Sequence, residues 1–307
     1  MKKIVFTLFV VLLVVSSSFI MPLTANKASA APIIQPGQTA EQIADGIIKT
    51  GLNLRGKATY SRTEYKTTYP YKFSCATFID YIFKQNGVDL ATYNEDYMLK
   101  LGWPVGKDQM QKGDLFYFDV IKTDSNPADH VGVYMGNNKL LHMADPQQNI
   151  IISDMTAKPY YTENFVGARR VIPNYLPSNP PTRADKIINL AYTKMGNVWI
   201  SSTVNDPAKS TFTHAGFINY IFSQNGITLG TPYVSQLAKK GTFVAKGNLQ
   251  KGDLVFYSTR IGGPPTIVAV YAGNYRILHT DPTKGIVSRL VMLPWYSTHY
   301  YTARRVM

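Results

Sequence analysis

The chain contains the same pattern twice, and this internal repeat constrains its fold more than any other feature of the sequence. An eleven-residue segment that begins at Phe73 reappears at Phe212 with the same order of aromatic, small and branched residues. The pentapeptide Gln-Lys-Gly-Asp-Leu occurs at 111–115 and again at 250–254, and both matches are separated by 139 positions. Such a repeat predicts two copies of one domain rather than a single large core.

A proline-rich stretch separates the two copies. Its four prolines are Pro173, Pro177, Pro180 and Pro181. Because proline lacks a backbone N–H group, the stretch predicts a semi-rigid linker that contains neither a helix nor a central strand. We therefore expect a first domain over 31–174, a linker over 175–181 and a second domain over 182–307.

The segment 1–30 has the pattern of a secretory signal peptide. Two lysines precede an apolar run over 4–15, and Ala28-Ser29-Ala30 is a small-residue cleavage pattern. The sequence therefore predicts a mature chain that begins near Ala31 and is secreted to the extracellular side, in association with the cell wall. The apolar run is too short to span a bilayer, and no later stretch is apolar enough, so we expect no stable membrane insertion.

The chain is strongly basic, with a formal net charge of +13. A basic secreted protein suits the surface of an anionic polymer, which makes anionic wall polymers the expected partners. Nucleic acid is the competing partner, but export and the dispersed lysines and arginines argue against it. Solvation of an ordinary surface is the remaining alternative.

Each copy begins with a helix signal and continues with strand signals. Thr39 and Thr182 precede apolar residues at helical spacing and are predicted N-caps. Enrichment in β-branched and aromatic residues predicts strands in the first copy over 114–119, 130–135, 139–143, 150–153 and 165–172. Helices followed by a mostly antiparallel sheet indicate the α+β class.

Cys75 is the only cysteine of the chain. An unpaired thiol in an exported protein is either a buried structural residue or a reactive group. The sequence after Ser74 predicts an amphipathic helix, and a thiol in the first turn of a helix lies at the positive end of the helix dipole. This position favours the thiolate, the form in which cysteine acts as a nucleophile.

Two histidines of the first copy flank a predicted hairpin. A two-residue loop at Asn137-Asn138 would place His130 and His142 on opposite faces of the sheet. A three-residue loop that also includes Gly136 would place His142 opposite Gly132, on the same face as His130 and diagonal to it. Diagonal neighbours are about 7–8 Å apart. A catalytic pair therefore requires the longer loop, and the small Gly132 would leave room for the imidazole rings.

Cys75, His130 and His142 together suit nucleophilic catalysis. An imidazole can hold a thiol as a thiolate–imidazolium pair and then protonate the leaving amine, while a third polar group fixes the orientation of the ring. In this interpretation Cys75 is the nucleophile, His130 the base and His142 the orienting residue. The alternatives are that both histidines are core residues, or that His130 pairs with the neighbouring Asp129.

The same residues resemble the NlpC-type family of cell-wall cysteine peptidases. The resemblance rests on Cys75 at a helix start, on Gly113-Asp114-Leu115, on the heptapeptide that begins at His130 and on Leu141-His142. It implies two tandem papain-like domains, each with helices packed on an antiparallel sheet. It also implies hydrolysis of peptidoglycan stem peptides through a Cys75 acyl-enzyme, with no cofactor and no metal.

The nucleophile motif departs from the family pattern. The usual motif is Asp-Cys-Ser-Gly, whereas this chain has Ser74-Cys75-Ala76-Thr77, and we expect Thr77 to crowd the first helical turn. The family often has a tyrosine shortly before the nucleophile. By that resemblance Tyr60 is placed near the oxyanion or substrate region.

The second copy lacks the predicted catalytic residues. His214 occupies the position of Cys75 and Ile267 that of His130, while only His279, the counterpart of His142, remains. We therefore predict a degenerate, non-catalytic domain kept for packing or ligand binding. Metal binding by His214 and His279 is an alternative that lacks a third ligand.

Three functions follow from these observations. The leading hypothesis is a secreted cysteine endopeptidase that hydrolyses peptidoglycan. The second is an exported cell-wall-binding protein without catalysis. The third is the same cysteine chemistry directed at another amide or ester, including acyl transfer.

Overall fold

Two six-stranded antiparallel sheets, one in each half of the chain, organise the computed structural model, which describes residues 33–307. The predicted signal peptide lies outside the described residues. The elements of the first domain are α1 (Ala40–Asn53), β1 (Ala58–Tyr60), β2 (Tyr71–Phe73), α2 (Cys75–Lys84), α3 (Glu95–Met98), β3 (Trp103–Val105), β4 (Leu115–Phe118), β5 (His130–Gly136), β6 (Lys139–Met143), β7 (Ile150–Asp154), α4 (Tyr160–Glu163) and β8 (Phe165–Arg170).

The second domain repeats this element order closely. Its elements are α5 (Arg183–Thr193), β9 (Trp199–Ile200), β10 (Thr211–Phe212), α6 (His214–Ser223), α7 (Val234–Leu237), β11 (Thr242–Phe243), β12 (Leu254–Tyr257), β13 (Ile267–Gly273), β14 (Arg276–Asp281), β15 (Gly285–Leu290), α8 (Pro294–Thr298) and β16 (Tyr300–Arg305). The sheets run β3-β8-β4-β5-β6-β7 and β11-β16-β12-β13-β14-β15, which is the same topology twice. The prediction of two tandem α+β domains is confirmed.

The predicted helix starts are also confirmed. The Thr39 hydroxyl accepts a hydrogen bond from the N–H of Gln42, and the Gln42 side chain accepts one from the backbone N–H of Thr39. Thr182 and Asp185 form the same reciprocal pair at the start of α5. Each pair satisfies two of the backbone donors that a helix N-terminus leaves unpaired, which explains where both helices begin.

The five predicted strands of the first domain form within two residues of their expected bounds. The short strands β1, β2 and β3 were not predicted. The expectation that the prolines exclude any helix is wrong, because a single 3-10 turn spans Ile172–Tyr175 with Pro173 in its first turn. Proline is tolerated there because the first N–H groups of a helix have no intrahelical partner.

The central strands β4, β5 and β6 of the first sheet bury side chains on both faces. On one face Leu115, Tyr117 and Val131 pack against the apolar side of α2, including Phe78 and Ile79. On the other face a smaller cluster contains Phe116, Phe118, Tyr134, Leu140 and Ala168. Since paired residues of neighbouring strands share a face and Phe118 is paired with His130, the histidine lies on the face away from α2.

Direct contacts join the two domains. The guanidinium group of Arg276 lies 3.8 Å from the ring centroid of Tyr175 and donates to the Tyr192 hydroxyl at 2.8 Å. That hydroxyl in turn donates to the Asp89 carboxylate at 3.2 Å. Leu290 also lies in the hydrophobic core of the first domain. The linker is therefore bridged by a buried polar network and by apolar packing.

Within residues 33–307, none of the helices combines the length and the apolar character that a membrane crossing requires.

Candidate active site

Cys75 is the first residue of α2, at the position that the sequence predicts. Ser74 caps the helix: its hydroxyl accepts from the N–H of Thr77 at 3.2 Å, and the Thr77 hydroxyl accepts from the N–H of Ser74 at 2.7 Å. The expectation that Thr77 crowds this turn is wrong, because its hydroxyl completes the capping pair. The departure from the family motif thus replaces a glycine with a residue that fixes the helix start.

Cys75 is 6% exposed, and its thiol contacts a carboxylate. Its Sγ donates to Glu95 Oε1 at 3.0 Å and lies 3.8 Å from the carbonyl oxygen of Asp129. Burial, and then the charge and hydrogen bond of Glu95, raise the pKa of the Cys75 thiol well above its ordinary value. The N–H groups of Ala76 and Val131 lower that pKa but do not offset these effects. In the substrate-free structure these effects favour the protonated thiol and oppose the thiolate that the helix dipole favours.

Glu95, a carboxylate with a shifted pKa, was not predicted from the sequence. It is the first residue of the short helix α3, and burial raises the pKa of its carboxyl group, while the hydrogen bond from Cys75 lowers it. It lies 20 residues after the cysteine, and nothing in its local sequence marks it as a site residue.

His130 and His142 contact each other directly, as the catalytic interpretation requires. His130 Nε2 and His142 Nδ1 are 2.7 Å apart, and their rings meet edge to face with centroids 4.9 Å apart. The two histidines therefore lie on one face of the sheet.

A β-bulge, rather than a longer loop, brings the histidines together. The turn is the two-residue form, since Gly136 pairs with Lys139 and both asparagines between them have positive φ. The register then shifts, Tyr134 pairs with Leu140, and Met135 has no partner. The small Gly132 makes room for Leu140 rather than for the imidazoles, because a Cβ there would lie 2.7 Å from the leucine side chain.

The hydroxyl of Ser153 extends the hydrogen-bonded pair of histidines. His142 Nε2 is 2.9 Å from the hydroxyl of Ser153, which projects from β7. Burial lowers the pKa of His130, and burial together with the neighbouring imidazole lowers the pKa of His142. Both rings are therefore neutral near pH 7, and the three side chains form a hydrogen-bonded chain that fixes the ring of His130. The alternative pair of His130 with Asp129 does not form, because the Asp129 carboxylate instead accepts hydrogen bonds from the N–H groups of Val120 and Ile121.

Cys75, His130 and Tyr60 line one cleft of about 640 Å³. The Tyr60 backbone N–H donates to Asn149 Oδ1 at 2.7 Å, and its hydroxyl accepts from Arg62 Nε at 3.2 Å. The structure thus brings three of the four predicted site residues to one cleft, with His142 behind His130. Other polar and aromatic side chains of this cleft include Arg62, Glu64, Tyr65, Tyr93, Glu95 and Tyr160.

A second cleft opens on the far side of His130. It has a volume of about 580 Å³ and is lined by His142, Ser153 and Tyr161, among others. His130, Ala144 and Tyr160 belong to both clefts. His130 therefore contributes to the walls of both clefts.

A model of the NlpC/P60 family matches residues 60–170 and 204–305, which are the two sheet-bearing halves. The chain belongs to the NlpC/P60 family. The Gamma-DL-glutamyl hydrolase of Bacillus subtilis is 24% identical over 249 residues, which cover 77% of this chain and 56% of that protein. The murein DD-endopeptidase MepH of Escherichia coli is 34% identical over 106 residues, which cover 33% of this chain and 36% of that protein.

A solved NlpC/P60 family protein from Bacillus cereus is 21% identical and covers 62% of this chain and 59% of that protein, with a TM-score of 0.37. The chain spans 56% of the length of the Bacillus subtilis hydrolase and 36% of the length of MepH.

The second NlpC/P60 domain has an equivalent cleft but lacks counterparts of Cys75 and His130. The cleft has a volume of about 760 Å³ and is lined by uncharged side chains, including Ser201, Asn205, His214 and Tyr233. His214 Nδ1 contacts the Thr280 hydroxyl. This domain therefore has the same surface concavity without a thiol at the helix start.

The alternative of a metal held by His214 and His279 is not supported. His279 Nε2 is 2.6 Å from the Tyr296 hydroxyl, and its Nδ1 is 2.9 Å from the carbonyl oxygen of Thr280, so both ring nitrogens have partners. Across the described part of the chain there is no group of three or more histidine, cysteine, aspartate or glutamate side chains placed to hold a metal ion.

Proposed function

We propose that the protein is a secreted cysteine endopeptidase that cleaves amide bonds in peptidoglycan stem peptides, with Cys75 as the nucleophile. The observation that carries the proposal is the meeting of Cys75 and His130 in one cleft, with His142 and Ser153 aligned behind the base. Family membership supports it, and the relatives include murein DD-endopeptidases and a peptidoglycan DL-endopeptidase.

The proposed mechanism assigns a role to each of these side chains. As the sulfur attacks the scissile carbonyl, the thiol proton passes to His130, and the tetrahedral intermediate collapses to a thioester on Cys75. The imidazolium of His130 donates its proton to the leaving amine, and it later accepts a proton from the water that hydrolyses the thioester. His142 and Ser153 hold the imidazole ring in one orientation during both steps.

Two features favour binding of the substrate in this region. Tyr60 lines the cleft of Cys75, which agrees with a place near the oxyanion or the substrate. The net charge of +13 favours adhesion to anionic wall polymers. We expect co-sedimentation of the protein with purified wall to weaken as salt rises, since salt screens exposed charges.

A second candidate function is hydrolysis of a γ-linked D,L-glutamyl polymer. The Bacillus subtilis relative is named for that bond, and its match extends over 77% of this chain, whereas the MepH match covers 33%. An anionic polymer of this kind would also suit the basic chain.

The test is a digestion of purified peptidoglycan and of a γ-D,L-glutamyl polymer with the full chain and with Cys75→Ala. Mass spectrometry identifies the new ends. Fragments from peptidoglycan with the unmodified protein alone support the proposal, and fragments from the second polymer alone support the other candidate. Equal release by both proteins would overturn the role of Cys75, and binding to the wall without release by either would support the alternative of a wall-binding protein.

A further inference from the structure

The carboxylate of Glu95 contacts the sulfur of Cys75 more closely than any other hydrogen-bonding group. Within the described residues, the hydrogen bonds of Sγ run to Glu95 Oε1 at 3.0 Å and to the carbonyl of Asp129 at 3.8 Å. The Glu95 carboxylate is therefore the nearest acceptor for the thiol proton, while His130 Nε2 is paired with His142. The catalytic steps proposed for Cys75 and His130 leave Glu95 without a role.

Glu95 is present in the domain that has the thiol and is absent from the domain that lacks it. Helices α3 and α7 are equivalent, and their first residues are Glu95 and Val234. The second domain thus has neither the thiol nor the carboxylate, although it keeps both helices and the cleft. A carboxylate needed only for folding would be expected in both copies, because the surrounding elements are the same.

The charged groups around this contact do not neutralise Glu95. On its own helix the neighbour is Asp96, and from the loop before β5 it faces Asp129, both acidic. The cation Arg62 and the phenol of Tyr160, on other elements, lie within electrostatic range of the thiol. The Glu64 carboxylate, which lines the same cleft, is paired with Lys72 at 2.6 Å.

We propose that Glu95 is a positioning residue that keeps the Cys75 thiol protonated. The thiol stays hydrogen-bonded to the Glu95 carboxylate, rather than to His130, until a substrate displaces this contact. This inference rests on the proposed function, because it treats Cys75 as the nucleophile. Protonated thiols react slowly with electrophiles and oxidants, since the thiolate is the reactive form. The resting enzyme would thereby keep its one thiol reduced.

The test measures the rate of Cys75 alkylation by iodoacetamide against pH, in the full chain without substrate. The unmodified protein should show a midpoint above about 8.5, the ordinary value for a free thiol. Glu95→Gln should lower the midpoint by about one unit or more, which corresponds to a roughly tenfold faster reaction at pH 7. Glu95→Asp, which keeps the charge on a shorter side chain, should shift the midpoint less.

Glu64→Gln is the matched control, because it removes a carboxylate of the same cleft that is paired with a lysine, and it should leave the midpoint unchanged. A Glu95→Gln midpoint equal to or above that of the unmodified protein would overturn the inference. If Glu95→Gln fails to fold, Glu95→Asp takes its place: a measurably lower midpoint supports the inference, and an unchanged or higher midpoint overturns it.

The outcome is distinguishable from that of the proposed function. A lowered Glu95→Gln midpoint in a protein that releases no wall fragments would sustain the role of Glu95 toward the thiol and refute the peptidase. Fragment release that depends on Cys75, with identical alkylation profiles, would sustain the peptidase and refute the role of Glu95.

Discussion

The two domains have the same fold but differ in the groups that line their clefts. Arg170 pairs with Asp114 at 2.8 Å in the first domain, and Arg305 pairs with Asp253 at 2.8 Å in the second. The bulge that shifts the hairpin register also occurs in both, between Tyr134 and Gly136 and between Tyr271 and Gly273. Backbone geometry is therefore preserved where the predicted chemistry is not.

The difference lies in a few side chains around one cleft. His214, Val234 and Ile267 stand at the positions of the thiol, its carboxylate partner and the predicted base. The one retained histidine, His279, contacts the Tyr296 hydroxyl instead of a second imidazole. The bulged hairpin is therefore a property of the fold, whereas the thiol, its carboxylate partner and the predicted base occur only in the first domain.

The largest expected effect comes from removing the predicted base in only one domain. His130→Ala should lower kcat/KM for wall digestion by about 10³-fold, because a general acid–base group contributes on that scale. Ile267→Ala, the equivalent change in the second domain, should leave kcat/KM within about twofold, since we assign no chemistry to that domain. Comparable losses in both variants would show that the second domain takes part in the reaction.

A large effect on stability should come from the interface between the domains. Arg276 is 4% exposed, and it occupies the hairpin position that Lys139, half exposed, occupies in the first domain. Arg276→Ala should lower the free energy of unfolding by about 3 kcal/mol, because it removes two buried hydrogen bonds of the guanidinium group and its contact with the Tyr175 ring. Lys139→Ala should cost at most about 1 kcal/mol, as for an exposed ion pair. Denaturant titration measures both values, and equal costs would contradict the asymmetry between the two hairpins.

A smaller effect should follow from the loss of the Ser153 hydroxyl. Ser153→Ala removes one hydrogen bond of about 1 kcal/mol from the ring of His142, so kcat should fall about five- to tenfold. Ser153→Thr keeps the hydroxyl and should retain most of the activity. The alanine variant should change kcat more than KM, because the residue acts through the base. A change in KM alone would mean that Ser153 contacts substrate rather than the histidine pair.

A further effect, spread over a range of pH, concerns stability in acid. Burial lowers the pKa of His279 to about 4, against an ordinary value of about 6.5. Between these values the unfolded chain binds a proton that the folded chain does not, so stability is lost as pH falls through this window, by at most about 1.4 kcal/mol per pH unit. His279→Gln should flatten the dependence, and His299→Gln, a change of a histidine outside the core, should not. Thermal unfolding at pH 7, 6 and 5 provides the measurement, and parallel curves for all three proteins would contradict it.

Much of the fold was predictable because the repeat and the strand patterns are local properties of the sequence. The N-caps at Thr39 and Thr182 and the strand over Lys139–Met143 follow from short segments. The bulge was not predicted, since two-residue turns and bulges differ only in pairing across the hairpin. The short 3-10 turn at Ile172–Tyr175 was not predicted, because we expected its proline to prevent a helix. Proline does not have that effect in the first turn of a helix.

The site was predictable where its residues are rare and unpredictable where they are common. One cysteine and few histidines make Cys75, His130 and His142 conspicuous, and the resemblance to a family orders them. Ser153 and Glu95 belong to abundant residue types, and their contacts cross between elements that only folding brings together. Comparison of the two copies held a signal for Glu95, because Val234 replaces it in the copy that also lacks the thiol.

The central claim is that the chemistry takes place on Cys75 and only in the first domain. The most direct test incubates the full chain with soluble wall fragments, quenches the mixture in acid and locates any added mass by peptide mapping. The account predicts a transient acyl adduct on the peptide that contains Cys75 and none on peptides of the second domain. An adduct in the second domain, or turnover by Cys75→Ala at the rate of the unmodified protein, would contradict it.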